Sequence, residues 1–190
     1  MNLTPRIEAA IRAASLLHDG QKRKAERDLP YVSHLFSVAA LLSSYAKDED
    51  VVIGGLLHDS LEDTGYTREA LEADFGPRVA RMVSEVTEEK ERDGSPVAWK
   101  DRKRAYVAAL EEASAEALMI AAADKIHNLS TTLSDFEMHG EGIWKNFRVP
   151  IEEQMWFYRE VLDVLERRLE SPIVTEYHNV VKRAKEVFNC

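Results

Sequence analysis

Apolar residues recur every three or four positions through most of the chain, a spacing that aligns them along one face of an α-helix. The segment YVSHLFSVAALLSSYA places on one face His34, Val38, Leu41 and Tyr45. Residues that favour helix ends bracket such segments: Thr4 precedes the first one as an N-cap and Gly20 follows it. No segment shows a convincing strand pattern of alternating apolar and polar positions. The pattern predicts an all-α fold in a single compact domain.

Later segments predict the centre and the end of this domain. The segment AEALMIAAADKIHNLSTTL is apolar on all sides from Leu118 to Ala123, so we predict a central, buried helix there. A long helix is expected over about residues 151–169, and Ser171 and Pro172 begin a last one. The segments EEKERDGSPVA and HGEGIWKNFRVP contain Gly and Pro and are predicted to be loops.

Composition narrows the classes of protein to which the chain can belong. Its 190 residues, 45% of them apolar, suffice for the core of one domain. A formal net charge of −9 argues against a nucleic-acid partner, because phosphate backbones bind to a basic face. Its apolar runs are too short to cross a bilayer, and the N-terminus lacks the apolar core of a signal peptide. The single cysteine, Cys190, leaves no internal disulfide or thiolate metal site, so we expect a cytoplasmic protein without a membrane partner.

The tetrapeptide LLHD occurs twice, and the second copy, in GGLLHDSLEDT, offers four titratable side chains on one predicted helix. His58 and Glu62 are four residues apart, as are Asp59 and Asp63, so the members of each pair lie one helical turn apart. Burial of so many polar groups is costly without a partner, and a divalent cation suits an imidazole with a carboxylate. A helix end that turns its acids to solvent is an equally good interpretation of this segment alone.

Residues elsewhere in the chain favour the metal interpretation. Asp124 directly follows seven apolar residues in the helix predicted to be buried, where an unpaired aspartate is rare. Asn128 lies one turn further along the same face. His34 lies on the apolar face of its helix, where a lone histidine is more often a core residue than a ligand. Together, two imidazoles and two carboxylates form a mixed set of nitrogen and oxygen donors, from His34, His58, Asp59 and Asp124. Such a set suits Mn²⁺ or Fe²⁺ better than a structural Zn²⁺ site.

The first LLHD ends at His18 and Asp19 and is followed by Gly20 and the basic run QKRK. No acid lies one turn after His18, so we interpret it as a helix end favoured by the negative end of the helix dipole. The run Lys22–Lys24 is usually a solvated turn, but in so acidic a chain it is also a candidate for binding phosphate. A second basic run, Lys100–Arg104, is interpreted as a solvent-exposed helix face, with phosphate binding as the alternative.

Five segments follow one another along the chain: GQKRKAERDLPYVSH, GLLHDSLEDT, FGPRVARMVSEVTEEK, AADKIHNLSTT and EEQMWFYREVLDVL. Together they resemble HD-superfamily phosphohydrolases. They are more closely similar to the hydrolase domain of RelA/SpoT-type alarmone enzymes and to the small alarmone hydrolases. The resemblance covers about residues 7–169, so we expect a single HD hydrolase domain over residues 1–190 with the helix at 172–188 appended to it.

The resemblance implies a role for each candidate residue. The metal, usually Mn²⁺, would be bound by His34, His58, Asp59 and Asp124. Glu62 and Asp63 would be catalytic, and the nucleotide would be contacted by Arg23, Lys24, Asn128 and Thr131. The family often has an arginine where this chain has Ser130, which puts one contact to guanine or phosphate in question.

The implied activity is metal-dependent hydrolysis of a phosphorylated nucleotide. The substrate expected from the resemblance is (p)ppGpp, the alarmone of the stringent response, which is hydrolysed at its 3′-diphosphate with release of pyrophosphate. Two alternatives stay open: an HD phosphohydrolase for another nucleotide or an NADPH-like phosphate ester, and a nucleotide-sensing protein without turnover. From the length of 190 residues we expect no synthetase domain. The oligomeric state is left open, and a homo-oligomer is among the alternatives.

Overall fold

The fold consists almost entirely of α-helices, as the sequence predicts. The structure, a computed structural model, describes residues 2–23, 28–92 and 94–190. In chain order its elements are α1 (Pro5–Leu17), α2 (Val32–Leu42), α3 (Glu49–Leu57), α4 (Ser60–Asp63), α5 (Arg68–Phe75), α6 (Pro77–Glu85), β1 (Glu91–Arg92), β2 (Ser95–Pro96), α7 (Trp99–Leu110), α8 (Ala115–His139), a 3₁₀ helix (Gly140–Asn146), α9 (Ile151–Arg168) and α10 (Pro172–Phe188). Within the described ranges, no helix combines the length and apolar character that a membrane crossing requires.

Helix ends follow the local signals of the sequence. The hydroxyl of Thr4 accepts a hydrogen bond from the backbone N–H of Ile7 at 3.2 Å and thereby caps α1. Gly76 separates α5 from α6 with a φ of 91°, a backbone conformation that other residues rarely adopt. Both long C-terminal helices lie where the periodicity and the Ser-Pro pair predict them. These elements therefore need no long-range contact to define their ends.

The structure differs from the prediction in three segments. The helix predicted through the second LLHD is interrupted, because His58 and Asp59 form a turn between α3 and α4. In a continuous helix neighbouring side chains point about 100° apart, whereas this turn lets both side chains face one point. The segment HGEGIWKNFRVP, predicted as a loop, begins with the 3₁₀ helix, in which Trp144 packs against Phe136 of α8. The other predicted loop contains the two-residue antiparallel pair of β1 and β2.

The helix α8 runs through the centre of the molecule. Its residues 117–126 are buried, with only Met119 partly exposed. It packs against α2, α3, α6, α9 and α10. The predicted central helix is thus confirmed, and its apolar surface carries Asp124 into the core.

Two adjacent glycines bring α3 close to its neighbours. A Cβ atom at Gly54 would lie 2.6 Å from Cδ1 of Ile120 in α8. A Cβ atom at Gly55 would overlap the side chain of Leu42 in α2. Because these positions lack side chains, α3 approaches both helices and presents His58 between them at its C-terminal end.

Replacement of Gly55 by alanine should destabilise the fold. The new methyl group would overlap Leu42, which is fully buried and surrounded by other core residues. We expect the free energy of unfolding to fall by about 1–3 kcal/mol, as measured by urea denaturation. Gly142→Ala is the control, because a Cβ atom at Gly142 meets nothing within 4 Å. Equal stability of the two variants would contradict the close contact between α2 and α3.

Candidate metal centre

Four side chains from three parts of the fold meet beside the middle of α8. They are His34 from α2, His58 and Asp59 from the turn between α3 and α4, and Asp124 from α8. Ligand atoms of His34, His58 and Asp59 lie within 4.8 Å of one another. Oδ1 of Asp124 is 3.1 Å from Nε2 of His34 and 3.6 Å from Nε2 of His58. Both histidines and Asp124 are buried. The structure thus brings together all four residues predicted as metal ligands.

Hydrogen bonds on the far side of each imidazole leave one ring nitrogen facing the centre. Nδ1 of His58 lies 2.9 Å from the backbone carbonyl oxygen of Gly55 and donates to it, so Nε2 is the nitrogen available to a metal. That Nε2 is buried and lies 3.1 Å from Oδ2 of Asp59, without a well-aligned hydrogen bond among the residues that the structure describes. Nδ1 of His34 likewise pairs with Nδ1 of His127 at 2.8 Å. Two imidazole nitrogens that face carboxylates at 3.1 Å fit a divalent cation.

The electrostatics of the centre also favour a bound cation. Burial lowers the pKa of His58, but the carboxylates of Asp59 and Asp124 outweigh burial and raise it well above its ordinary value. For Asp124, Lys125 and the two histidines outweigh burial and hold the pKa well below its usual range. The buried carboxylates therefore favour a positive charge beside them, which a bound metal ion would supply.

Each carboxylate is also held by side chains outside the centre. The hydroxyl of Tyr31 donates to Oδ2 of Asp59 at 2.6 Å. The ammonium group of Lys125 donates to Oδ2 of Asp124 at 2.6 Å, and the amide of Asn128 donates to Oδ1 at 2.5 Å. Contacts of this kind fix the orientation of metal ligands. Lys125 is absent from the sequence-based predictions, although a lysine beside an aspartate in an apolar helix signals a buried ion pair.

The acid pair of Glu62 and Asp63 lies in α4, directly after the ligand-bearing turn. Lys90 contacts both acids: its Nζ is 3.2 Å from Oε1 of Glu62 and forms an ion pair with the carboxylate of Asp63. The sequence offers no local signal for this role of Lys90. Burial and the nearby carboxylate of Glu88 raise the pKa of Glu62. Glu62 and three of the four predicted ligands line a cavity of about 20 Å³, which is large enough for a water-sized sphere.

Glu88 is buried behind the acid pair and binds two cations of α7. Nε of Arg102 donates to one of its carboxylate oxygens at 2.9 Å, and Lys103 forms an ion pair with the other. Burial would raise the pKa of Glu88, but Lys103 and other nearby cations lower it. The interpretation of Lys100–Arg104 as a solvent-exposed face is therefore wrong for Arg102 and Lys103, which turn inwards to a buried carboxylate.

Three of the four residues predicted to contact the nucleotide lie together beside the centre. Nη2 of Arg23 is 3.1 Å from Oδ1 of Asn128 and 3.5 Å from Oγ1 of Thr131. The guanidinium group also lies over the ring of Tyr31, 5.8 Å from its centroid. Lys24, the fourth residue, lies outside the described residues. The partners found for Arg23 in the described part of the chain are neutral, so its charge is available to an anion.

A family model for the HD domain matches residues 9–148, a range that includes the four predicted ligands and the acid pair. The chain belongs to the HD domain family. The match ends before α9 and α10 begin. The candidate metal centre therefore lies wholly within the part of the chain that identifies the family.

Relatives of this HD domain include proteins named for the hydrolysis of a guanosine bis(diphosphate). The Drosophila melanogaster protein named guanosine-3′,5′-bis(diphosphate) 3′-pyrophosphohydrolase MESH1 is 38% identical over 118 residues, which cover 61% of this chain and 63% of the relative. The Homo sapiens protein of that name is 38% identical over 125 residues, covering 65% and 66%. A GTP pyrophosphokinase of Streptomyces coelicolor is 36% identical over 125 residues, covering 66% and 14%. The chain thus spans less than two thirds of each of these relatives.

Solved structures share the fold of this HD domain. One is described as a metazoan ortholog of SpoT that hydrolyzes ppGpp and plays a role in starvation responses. It aligns with a TM-score of 0.80 at 27% identity, over 96% of this chain and 97% of its own. A crystal structure of a Listeria monocytogenes EGD-e protein aligns with a TM-score of 0.73 at 29% identity, over 83% of this chain and 99% of its own. Both alignments support the all-α architecture.

Addition of Mn²⁺ to the metal-stripped HD domain should raise its melting temperature, because a cation that binds only the folded state stabilises it by mass action. At about 100 times the Kd the gain is about 2.7 kcal/mol, or about 5–10 °C for a chain of this size. Asp124→Asn should remove most of this rise in a calorimetric scan. Asp101→Asn, at an exposed position of α7, should retain it. An equal rise in both variants would place the cation elsewhere.

Glu88→Gln should destabilise the HD domain most near neutral pH. Folding lowers the pKa of Glu88, so its contribution is fully present above the pKa of an unfolded glutamate, about 4.3, and is lost as the pH falls through the lower folded value. Because the substitution leaves Arg102 and Lys103 without their counter-charge, we expect a loss of about 3 kcal/mol at about pH 7 and a smaller loss at about pH 3. Urea denaturation at both pH values measures it, with exposed Glu89→Gln as the control. A loss independent of pH would contradict the ion-pair explanation.

Proposed function

We propose that this HD domain is a Mn²⁺-dependent hydrolase that removes the 3′-diphosphate of ppGpp as pyrophosphate. The observation that carries the proposal is the position of Glu62, whose side chain lines the same small cavity as three of the four proposed metal ligands. A metal site that only stabilises the fold has no use for an acid beside its ligands. The names of the relatives support the choice of substrate.

We assign the metal to His34, His58, Asp59 and Asp124. Two imidazoles and two carboxylates form a mixed donor set that suits Mn²⁺ and, unlike a closed tetrahedral site, leaves positions for water and substrate. When bound, the metal lowers the pKa of a water molecule and polarises the 3′-phosphoryl group. The hydrogen bonds from Tyr31, Lys125 and Asn128 hold the two carboxylates in place for this role.

Glu62 is the proposed general base. Burial raises its pKa towards the range in which a carboxylate accepts a proton efficiently near neutral pH. It accepts a proton from the attacking water, whose oxygen bonds to the phosphorus attached to the 3′ oxygen.

The bond between that phosphorus and the 3′ oxygen then breaks, so the 3′ oxygen needs a proton. We assign this protonation to Lys90, whose ammonium group contacts both acids and is held by the carboxylate of Asp63. Lys90 donates a proton to the 3′ oxygen and regains one from Glu62, whose Oε1 lies 3.2 Å from its Nζ. The products are pyrophosphate and the nucleoside 5′-diphosphate.

Local cations bind the phosphates in an otherwise acidic chain. The net charge of −9 disfavours a general polyanion but leaves room for a small ligand held by a few positive groups. Arg23 is positioned by the neutral oxygens of Asn128 and Thr131, which leaves its charge for a phosphate. Lys24, next to it in the sequence, is proposed to act with it.

The setting of the protein is also a proposal. We place it in the cytoplasm, in the stringent response, because its proposed substrate is an alarmone and its only cysteine is Cys190. The packing of α10 against α8 and α9 supports a single domain that includes the C-terminal helix.

Turnover is tested with the metal-stripped protein, Mn²⁺ and a panel of ppGpp, GTP, dNTPs and NADPH, with the release of pyrophosphate and of phosphate followed separately. We expect pyrophosphate from ppGpp. Glu62→Gln should lower kcat by about 10²- to 10⁴-fold, and Asp124→Ala should abolish turnover because it removes a ligand. Glu166→Gln, on the exposed face of α9, is the control.

Other outcomes would change the proposal. Phosphate release from a different compound alone would make the protein an HD phosphohydrolase for another ester. Ser130 favours that second candidate, because the resembling family often has an arginine at this position. Tight binding of ppGpp without turnover would make the protein a sensor and would overturn the hydrolase assignment.

A further inference from the structure

His18, in the first LLHD, contacts two residues that in turn contact the proposed active site. One of them contacts the segment of the acid pair, and the other contacts a proposed metal ligand. His18 ends α1 as the C-cap residue, as the sequence predicts, and the residue is only 2% exposed. Nδ1 lies 2.8 Å from Oε1 of Gln21. The ring also stacks on Tyr31, with centroids 5.4 Å apart and planes inclined by 25°. Each of these two contacts continues to a residue of the site.

The contact with Gln21 leads to the acid pair. Nε2 of Gln21 donates to the backbone carbonyl oxygen of Asp63 at 2.9 Å. Because the amide nitrogen is used there, the amide oxygen faces His18, and Nδ1 of His18 is the donor. The last carbonyls of a helix have no partner within it, and α4 is a single turn. Gln21 therefore supplies the donor that fixes the end of the turn on which Glu62 and Asp63 stand.

The contact with Tyr31 leads to a proposed metal ligand. The hydroxyl of Tyr31 donates to Oδ2 of Asp59 at 2.6 Å. The backbone N–H of Tyr31 donates to the carbonyl oxygen of Gln21 at 2.9 Å, so the two residues that contact His18 also contact each other. A displacement of the His18 ring would thus shift both Asp59 and the turn that carries the acid pair.

The chemistry of the ring argues against a role in packing alone. Nε2 of His18 is buried and has no hydrogen-bond partner in the ranges that the structure describes. An unpartnered buried nitrogen is costly, and an apolar ring would fill the same space without that cost. The imidazole is useful here because of its other nitrogen, which donates to Gln21.

We infer that His18 is a positioning residue that holds the acid pair through Gln21 and the metal ligand Asp59 through Tyr31. The inference has two halves. The catalytic half, that His18 positions the acid pair through Gln21, rests on the proposed function. The metal half, that His18 positions Asp59 through Tyr31, depends only on cation binding. Two substitutions separate the halves. His18→Phe keeps a flat ring against Tyr31 and removes the donor, whereas His18→Asn keeps an N–H donor near the Nδ1 position and removes the ring.

The kinetic test compares these variants on ppGpp. His18→Phe should lower kcat by about 10- to 100-fold while KM and the Kd for Mn²⁺ stay close to the wild-type values. Gln21→Met should have the same effect, and the double variant should lose no more than either single one, because both act through one contact. His178→Asn is the control, since this exposed histidine of α10 makes a similar 2.8 Å contact, to Glu166, outside the site. Unchanged kcat in His18→Phe, or multiplied losses in the double variant, would overturn the catalytic half.

The metal test needs no substrate. The Kd for Mn²⁺, measured from the spin-resonance signal of the free ion, should rise by about 10-fold in His18→Asn and stay unchanged in His18→Phe. Equal affinity in wild type and His18→Asn would overturn the metal half, even if the protein hydrolyses nothing in the panel.

If circular dichroism shows that His18→Phe fails to fold, Gln21→Met alone decides the catalytic half. A wild-type protein that binds Mn²⁺ but leaves ppGpp intact would refute the proposed function and the catalytic half, and the affinity comparison would still decide the metal half.

Discussion

A carboxylate inside an otherwise apolar helix is the constraint on which the rest of this HD domain depends. Asp124 can be buried in α8 because Lys125 and Asn128 donate to its oxygens and His34 lies 3.1 Å away. A buried charge without such partners would cost several kcal/mol. Two of these donors come from α8 itself, and the segments packed around it must therefore supply the imidazoles at the same level of the bundle. The stability of the core and the geometry of the candidate site are for this reason inseparable.

The helices and three of the four candidate ligands could be predicted from local signals. For His34 the local pattern favoured a core residue, and only the family resemblance placed it among the ligands. Thr4 caps its own helix, and Pro172 begins α10 by its fixed φ. Asp124 was recognisable because an aspartate after seven apolar residues needs a partner. His58 and Asp59 gained significance from acids one turn further along. In each case the decisive neighbours are within a few positions in the chain.

The contacts that hold the site could not be predicted, because they join distant parts of the chain. Gln21 reaches the carbonyl of Asp63 across 42 positions, and Lys90 reaches the same acid across 27. The turn at His58 interrupts a segment that periodicity alone makes continuous. His18 had a sufficient local explanation in the helix dipole, so nothing in its own segment pointed to burial. Tertiary packing decided these features, and the basic run of α7 was misinterpreted for the same reason.

The glycine pair of α3 bears on the choice of cation. Gly54 and Gly55 press the backbone of α3 against side chains of α8 and α2, so the spacing of the ligand-bearing segments is set by contacts in the core. Closely packed protein interiors have low compressibility, so packed helices resist being moved apart. The two imidazoles cannot adjust to an ion of another radius by moving whole helices apart. If the proposed centre binds a divalent ion, its discrimination among ions by size would thus depend partly on apolar packing, and core substitutions would change it while every ligand stays the same.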